Sequence, residues 1–542
     1  MKVMLIFPPQ SQPFLPHIAL PLLTSVLKKE GIEVIQRDFN IEAYEDITSS
    51  DRLRISGCPE DIIEKLQKAK SCLRTGEDYF VEEDYYQAIN VIESYLYQVS
   101  CMFLDLKWSL KNYVISCYSK YSSKDILEAV KDKKRNIFIS YFEDKIKDIR
   151  EENPDFIGIS VAWSSQIIPA FTLACVVKTY MPSVHICMGG SMIGHLADYL
   201  KYKKNMFSFV DSYMPFDGET GLVRLVKELK DGNLKDVPGL IYMNKKNIVA
   251  NKPQIYENLN SLPIPDFEGL PVDKYYSPQV YLPIAASRGC YWGKCNFCSH
   301  HLSATKFRSR KADILYNEMN FLYEKYKCKN FYFVDDAIPP SVMMNLSQMI
   351  IDGAKPYRWA GEIRFEELMD RSYFQTLYKG GCRFLLFGLE SFCQRILNLM
   401  DKGYKKEMIE PVIKEAHEAG IITWVFFFLG FPGEKRNESG ETLEFIVNNN
   451  QYIDMVGPGT FVLTRNSSIH NKLKNFKIRA IREDKNQDLQ LSFPALMGEG
   501  IQQDEASNLL REFQSHPAVQ KFLRPFVSEP HLLFFQKSYF YK

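Results

Sequence analysis

Residues 3–7 (Val-Met-Leu-Ile-Phe) form a continuous apolar run ended by Pro8-Pro9, the pattern of a strand buried on both faces. A helix is expected from about Pro21 to Glu30, stopped by Gly31, and a second strand over 32–37 that finishes at Asp38-Phe39-Asn40. Strand, helix, strand at this spacing opens a doubly wound sheet. From about Ile41 to Asn153 the period changes. Apolar residues recur every three or four positions between charges, over Asp61 to Leu73, Tyr85 to Lys107 and Lys124 to Arg150. Residues 41–153 therefore read as a helical insertion that either stabilises the sheet as a cap or covers a site.

The α/β pattern resumes at Asp155 to Trp163, followed by a helix (Gln166 to Tyr180), a strand (Val184 to Met188) and the turn Gly189-Gly190-Ser191. A helix (Ile193 to Tyr202), a strand around Phe207 to Val210, and Phe216-Asp-Gly-Glu-Thr-Gly221 opening another helix complete this half. Four loops follow strand ends: Pro8 to Pro16, Ser160 to Ser165, Gly189 to Met192 and Asp217 to Gly221. Ligands of open α/β sheets bind at such loops, and Gly and Ser there permit close backbone approach. None carries G-x-G-x-x-G or a P-loop. His17 and His195 read as solvated rather than ligating.

Residues 251–279, with Pro253, Pro263, Pro265 and Pro271 and little periodicity, read as a linker. Alternation then returns, with strands expected at 281–286, 329–334, 358–363, 383–388, 422–428 and 454–461. Helices are expected near 310–326, 341–353, 366–379, 405–419 and 437–449. Six parallel strands with external helices suggest a partial (β/α)6 barrel, whose ligands gather at the carboxyl ends of the strands. Those ends are polar: Asp335-Asp336, Glu362 with Arg364, Glu390-Ser391, and Leu429-Gly-Phe-Pro-Gly433. Beyond about Asn475 the pattern weakens, leaving a helix from Asp504 to Gln514 and an aromatic tail (Phe534-Phe535, Tyr539 to Tyr541) expected to pack back on the barrel or to close its substrate side.

Directly after the first of these strands come Cys290, Cys295 and Cys298, spaced C-x4-C-x2-C on a loop made irregular by Gly289, Gly293 and Lys294. Three thiolates on one short loop can hold three irons of a cubane cluster, and no fourth cysteine follows in phase. The remaining iron then has an open coordination site. A structural zinc site needs four closed ligands, the fourth of which His300 or His301 would supply.

Bulk properties narrow the field. At 542 residues the chain exceeds one ordinary core, so two or three domains are expected. A net charge of +1 gives no general attraction to nucleic acid or anionic membranes. The 12 cysteines are scattered apart from the trio, which fits a reducing cytoplasm better than a disulfide framework. The first apolar run is too short for a signal peptide, and no run approaches the length of a membrane span.

At the cysteine loop the chain resembles the radical S-adenosylmethionine (SAM) enzymes. In that superfamily three cysteines bind a [4Fe–4S] cluster whose fourth iron takes the amino and carboxylate groups of SAM. The usual spacing is C-x3-C-x2-C, and this chain has one residue more in the first gap. Residues 1–250, through the Pro-rich first loop, the Gly189-Gly190 turn and the Asp217-Gly-Glu219 element, resemble the Rossmann-like cobalamin-binding domain that precedes the radical domain in one large class. The Asp-x-His-x-x-Gly motif of cobalt-ligating histidines is absent, so the resemblance implies cobalamin bound without it. Gly388-Leu-Glu-Ser391 with Met400-Asp-Lys-Gly403 is similar to a signature of the same class.

The resemblance implies an α/β fold: a doubly wound cobalamin domain (1–250, with the insertion 41–153), a linker (251–279), a partial barrel (280–475) and an α-rich C-terminal region (476–542). It assigns Cys290, Cys295 and Cys298 to the cluster. It assigns Phe297, Glu362, Arg364, Glu390, Ser391 and Gly430 to SAM. Trp163, Ser164, Gly189, Gly190, Ser191, Asp217 and Glu219 fall to cobalamin, with Trp163 near its lower face. The implied activity is C-methylation of an unactivated carbon of a peptide or natural-product intermediate, through a 5′-deoxyadenosyl radical and methylcobalamin, with flavodoxin or ferredoxin as electron donor. A ring-forming or rearranging enzyme with the same cofactors, and a non-catalytic cobalamin-binding protein, are the other readings. Neither a nucleic-acid nor a membrane partner is expected, and the location is cytoplasmic. Oligomeric state is not legible in the chain.

Overall fold

The computed structural model describes residues 1–74, 76–230, 232–252, 256–299, 306–522 and 528–538. The chain divides into two compact units. One comprises Met1–Gly76, Glu83–Pro278 and Asp484–Leu491, the other Glu77–Glu82, Gln279–Glu483 and Ser492–Lys542. Residues 256–278 thus pack with the first unit, and Pro253 lies outside the described residues.

The first unit is built on seven strands: β1 (Lys2–Phe7), β2 (Glu33–Asp38), β3 (Phe156–Ser160), β4 (His185–Gly189), β5 (Ser212–Met214), β6 (Ile241–Asn244) and β7 (Asn247–Ala250). Their order is β2-β1-β3-β4-β5-β6-β7, parallel through β5 and antiparallel beyond it. Val3, Met4, Ile6, Phe156, Ile157 and Ile186 are each 0% exposed, as continuous apolar runs require when helices cover both faces. The strand order reverses between β1 and β3, which makes the loops after those two strands the natural ligand crevice.

Three local readings are corrected in this unit. The strand expected at 207–210 is replaced by a 3-10 turn at Lys204–Phe207, and β5 begins two residues after Val210. Asp211 sets that start, since its amide donates to Ile186 O and its carboxylate accepts from Ile186 N at 2.7 Å. The helix expected over 85–107 ends at Cys101, because Leu106–Trp108 pairs with Tyr113–Ile115 in a hairpin of period two, buried–exposed–buried on each strand. The helix expected over 124–150 is two helices, Ser123–Ala129 and Ile137–Glu152. Asn136, 1% exposed, separates them: its side chain caps the second helix at Phe138 N and ties back to Ala129 O and Thr172 Oγ1. The β6–β7 hairpin that closes the sheet edge was not anticipated.

The second unit carries β8 (Tyr281–Ile284), β9 (Asn330–Phe333), β10 (Arg358–Ile363), β11 (Cys382–Glu390), β12 (Ile422–Leu429) and β13 (Met455–Thr460), parallel and paired in chain order. Among the described residues β8 and β13 do not pair with each other, so the barrel is open. The helices Ala312–Tyr326, Pro340–Asp352, Arg371–Lys379, Ile409–Glu418 and Arg436–Asn448 fill the crossovers. An unanticipated short helix, Gln394–Met400, follows β11. The C-terminal segment packs back on the barrel: Phe513, in Gln503–Ser515, meets Phe427 at 5.8 Å, and Phe534 meets Tyr281 at 5.4 Å. The remainder of the aromatic tail, Tyr539 to Tyr541, lies outside the described residues.

Candidate functional site

The cysteine loop leaves the barrel through a fixed hinge. Asp335, at the end of β9 and 4% exposed, accepts from Ala286 N at 2.9 Å and Ser287 Oγ at 2.5 Å. Burial pushes its carboxyl from the ordinary 3.8 up to about 7, against the opposing pull of the Ser287 and backbone hydrogen bonds. Asp335 thus holds the peptide that leads into the loop, a positioning role rather than that of a catalytic pair with Asp336. Below the ordinary carboxyl value both folded and unfolded chains are protonated. Between there and about pH 7 the folded chain keeps a proton the unfolded chain has lost, so stability declines with rising pH, by a few kcal/mol in order of magnitude. Asp335→Asn removes the ionisation, and its unfolding free energy between pH 4.5 and 7 is expected to depend on pH more weakly than that of the parent chain.

All three thiols are partly buried. Cys298 N donates to Cys295 O, and Asn296 N and Nδ2 donate to Met400 O and Leu399 O, each at 2.9 Å. Trp292 Nε1 donates to Asp401 O at 2.6 Å. Arg364, just past β10 and 6% exposed, places Nη1 3.8 Å from Cys295 Sγ while Nη2 donates to Lys402 O at 2.5 Å. Its guanidinium lies 4.9 Å from the Trp292 ring and 5.7 Å from that of Tyr404. Burial pushes the Cys295 thiol up, and Lys402 and Arg364 oppose that by favouring the thiolate.

Lys402, 3% exposed, reaches Glu390 Oε1 at 3.1 Å. Burial alone would lower its pKa, but Tyr404, Glu390 and Cys295 outweigh burial and hold it raised, so the ammonium stays charged. Glu390 is aimed by a β-bulge: the β11–β12 register shifts between Gly388 and Glu390, and Glu390 takes φ +60. Phe297 packs edge-on to Phe428 of β12 at 5.1 Å. The structure therefore gathers Cys295, Phe297, Arg364 and Glu390 around Lys402 and Trp292. Neither of those two had been assigned a role, although both stand inside motifs visible in the chain.

Other expected residues have protein partners. Ser391 Oγ accepts from Cys393 N and lies 3.4 Å from Thr442 Oγ1. Gly430 N donates to Glu434 Oε2 at 2.6 Å, and Phe431 N donates to the same oxygen. Glu362 accepts from Ile338 N through its backbone carbonyl. His300 and His301 lie outside the described residues.

In the first unit, the loops after β1 and β3 are stitched together. Gln166 Nε2 donates to Pro8 O, Ser165 Oγ to Gln10 O, and Gln166 Oε1 accepts from Ala162 N and Trp163 N. The Gly189-Gly190 turn joins them: Val161 N donates to Gly189 O and Ser191 Oγ to Ala162 O. Ser164 Oγ accepts from Lys120 Nζ. Trp163 is 55% exposed, so sheet-end packing does not account for it. Asp217 Oδ2 accepts from Glu257 N at 3.2 Å, and Glu219, 3% exposed, opens the helix Glu219–Glu228. His17 is only partly exposed: it stacks on Phe7 at 4.8 Å, its Nδ1 accepts from Ala19 N, and burial lowers its pKa to about 4.

The donor sets suit the groups the resemblance implies. Among the described residues no three His, Cys, Asp or Glu side chains close around one ion, and three thiolates that each take a separate iron need not. Two cations beside Cys295 suit an anionic thiolate cluster. At the crevice of the first unit, Gln10 Oε1 and Ser160 Oγ are buried without hydrogen-bond partners among the described residues, acceptors and donors free for a polar ligand.

Residues 284–446 match the Radical SAM superfamily, and the match spans the cysteine loop and the strand ends just described. Residues 284–446 are a radical SAM domain. That domain carries with it a [4Fe–4S] cluster and SAM. An uncharacterized methyltransferase of Pyrococcus horikoshii is 28% identical over 310 residues, 56% of this chain and 66% of that protein. TsrM of Kitasatospora setae, a radical SAM methyltransferase solved with tryptophan substrate and a SAM analog, superposes with a TM-score of 0.64 at 14% identity, over 97% of this chain and 91% of its own. OxsB, a cobalamin-dependent SAM radical enzyme solved with aqua-cobalamin and SAM, superposes with a TM-score of 0.63 at 14% identity, over 94% of this chain and 66% of its own. The chain thus spans just under two thirds of the length of the Pyrococcus relative and of OxsB, and its likeness to the two solved structures is one of fold. No helix among the described residues is long and apolar enough to cross a membrane.

Proposed function

We propose that the chain is a cobalamin-dependent radical SAM enzyme that methylates an unactivated carbon of a peptide or small natural-product intermediate. The observation that carries the reading is the three-thiol loop held against two buried cations, Arg364 and Lys402, at the carboxyl ends of a parallel open barrel. The Pyrococcus relative, named as an uncharacterized methyltransferase, and the cobalamin bound in OxsB support the choice among radical SAM chemistries.

In this reading Cys290, Cys295 and Cys298 hold the cluster. Phe297, Glu362, Arg364, Glu390, Ser391 and Gly430 surround SAM, with Glu390 oriented by its bulge and Phe297 presenting a ring against Phe428. Residues 1–250 hold cobalamin through Trp163, Ser164, the Gly189-Gly190-Ser191 turn, Asp217 and Glu219, and residues 280–475 form the radical domain. When bound, the cluster supplies the electron that cleaves SAM and cobalamin carries the methyl group. The protein orients these groups and excludes water from the reacting centre. A flavodoxin or ferredoxin in the cytoplasm is the electron donor we propose.

The test is anaerobic reconstitution with iron, sulfide and cobalamin, followed by reduction in the presence of methyl-labelled SAM. Formation of 5′-deoxyadenosine together with transfer of label to cobalamin is expected. An intact cluster that yields 5′-deoxyadenosine without moving label would move the reading to a ring-forming or rearranging enzyme. An intact cluster with no turnover would leave a binding protein.

A further inference from the structure

The longer first gap of the cysteine loop has a structural counterpart. Helix Gln394–Met400 ends in Asp401 at φ +56, and the last carbonyls of a helix lack partners within it. Here four consecutive carbonyls, those of residues 399–402, are taken by the cysteine loop and by Arg364. Leu399 O and Met400 O accept from Asn296, Asp401 O from Trp292 Nε1, and Lys402 O from Arg364 Nη2. Trp292 belongs to the gap that carries the additional residue. Its ring lies on Gly403, where an added methyl group would meet the indole at 2.0 Å, and Gly403 takes φ +76, so glycine is required twice over. The Arg364 guanidinium lies 4.9 Å from the same indole and 6.0 Å from the Tyr291 ring. Nε of Arg364 has no hydrogen-bond partner among the described residues. The side chain is therefore held by stacking, by one helix carbonyl, by a sulfur contact and by a long ion pair from Nε to Glu366 Oε1 at 3.9 Å.

We propose that Arg364, clamped between Trp292 and the end of the Gln394–Met400 helix, acts with Lys402 as a positioning pair that fixes the longer cysteine loop and raises the reduction potential of its cluster. The proposal rests on the cluster assigned above. One-electron reduction makes a thiolate-bound cluster more negative, and two buried cations stabilise that state in a medium of low dielectric. Hydrogen bonds and charges near the sulfurs are among the known determinants of such potentials.

The experiment is a spectroelectrochemical titration of the reconstituted holoprotein, read by the electron paramagnetic resonance signal of the reduced cluster, with iron per chain measured in parallel. Arg364→Gln is expected to keep its iron but to be harder to reduce. At the parent midpoint its ratio of reduced to oxidised cluster falls about tenfold, which is 59 mV for one electron. Arg364→Lys, which retains the charge, stays near the parent midpoint. Gly403→Ala retains both cations but displaces Trp292, and iron is lost to a chelator several-fold faster. Should Arg364→Gln not retain a cluster, Lys402→Gln carries the titration, with the same direction of shift expected. An unchanged midpoint in the glutamine variant that retains its cluster, an equal shift in Arg364→Lys, or unchanged iron loss in Gly403→Ala overturns the proposal. A parent protein that binds no iron–sulfur cluster overturns the function reading and this inference with it. A parent protein that cleaves SAM while Arg364→Gln titrates normally overturns this inference alone.

Discussion

Replacing any one of Cys290, Cys295 or Cys298 with alanine is expected to reduce SAM cleavage to background. The physical reason is that in the proposed site each thiolate would hold a different iron, so removing one would leave a cluster corner without its protein ligand while the open corner still has to serve SAM. Cys295 gives the sharpest form of the test, since Arg364 Nη1 lies 3.8 Å from its sulfur and the loop around it is fastened through Asn296 and Trp292 to backbone carbonyls rather than through the thiol. Cys295→Ala therefore leaves the fold of the loop intact. The far-ultraviolet dichroism of the variant should match the parent, iron per chain should drop well below the roughly four of a complete cubane, and 5′-deoxyadenosine should disappear from the assay. A variant with full cleavage activity, or a parent protein that holds zinc at this loop, would end the radical SAM reading of the site.

The second large effect is expected at Gly190. The residue sits at φ +100 and ψ 171, a region of backbone space open essentially to glycine, and an added methyl group would stand 2.5 Å from Val161 O and 2.9 Å from Val161 N. Those contacts are with backbone, so no side-chain rotation relieves them. Gly190→Ala is expected to destabilise the first unit by about 1–3 kcal/mol from backbone strain, with more from the clash. It is also expected to weaken cobalamin binding by at least about tenfold, because the turn is bonded to both Val161 and Ala162 in the loop after β3. Gly31→Ala is the matched control: φ +72 is also positive, but nothing lies within 4 Å of the added carbon, and the loss should be about 1 kcal/mol or less. Denaturant unfolding and equilibrium dialysis against hydroxocobalamin measure the two effects separately. Equal behaviour of the two alanine variants would remove the turn from the cobalamin site.

The elements that could be read from the chain are those whose signal is local and repeated. Runs such as 3–7 and 422–428 are apolar throughout because helices cover both faces of a parallel sheet, and β1 and β12 stand where those runs do. The alternation of such runs with helical periods identified two parallel-sheet regions, and the spacing of three cysteines located the loop. Errors arose where the signal was short or came from elsewhere. The hairpin strands at 106–108 and 113–115 are too brief for period two to stand out from the helix before them. The break between the helices ending at Ala129 and starting at Ile137 is enforced by Asn136 bonding to Thr172, far along the chain.

By itself the sequence determined which residues alternate, where sheets must be covered on both faces, and that three thiols share one polar loop. Those are consequences of side-chain chemistry over a few neighbouring positions. Only the tertiary structure decided that Arg364 meets Cys295 and Lys402 O, that Trp292 lies on Gly403, and that the bulge at Gly388–Glu390 aims a carboxylate at Lys402. These partners are separated in the chain by 12 residues at the nearest and 111 at the farthest (292 to 403). The pairing of Arg364 with Lys402 O follows from burial: once the strands close side by side, a buried helix-end carbonyl and the cation beside it must find each other, because water is no longer there to satisfy them.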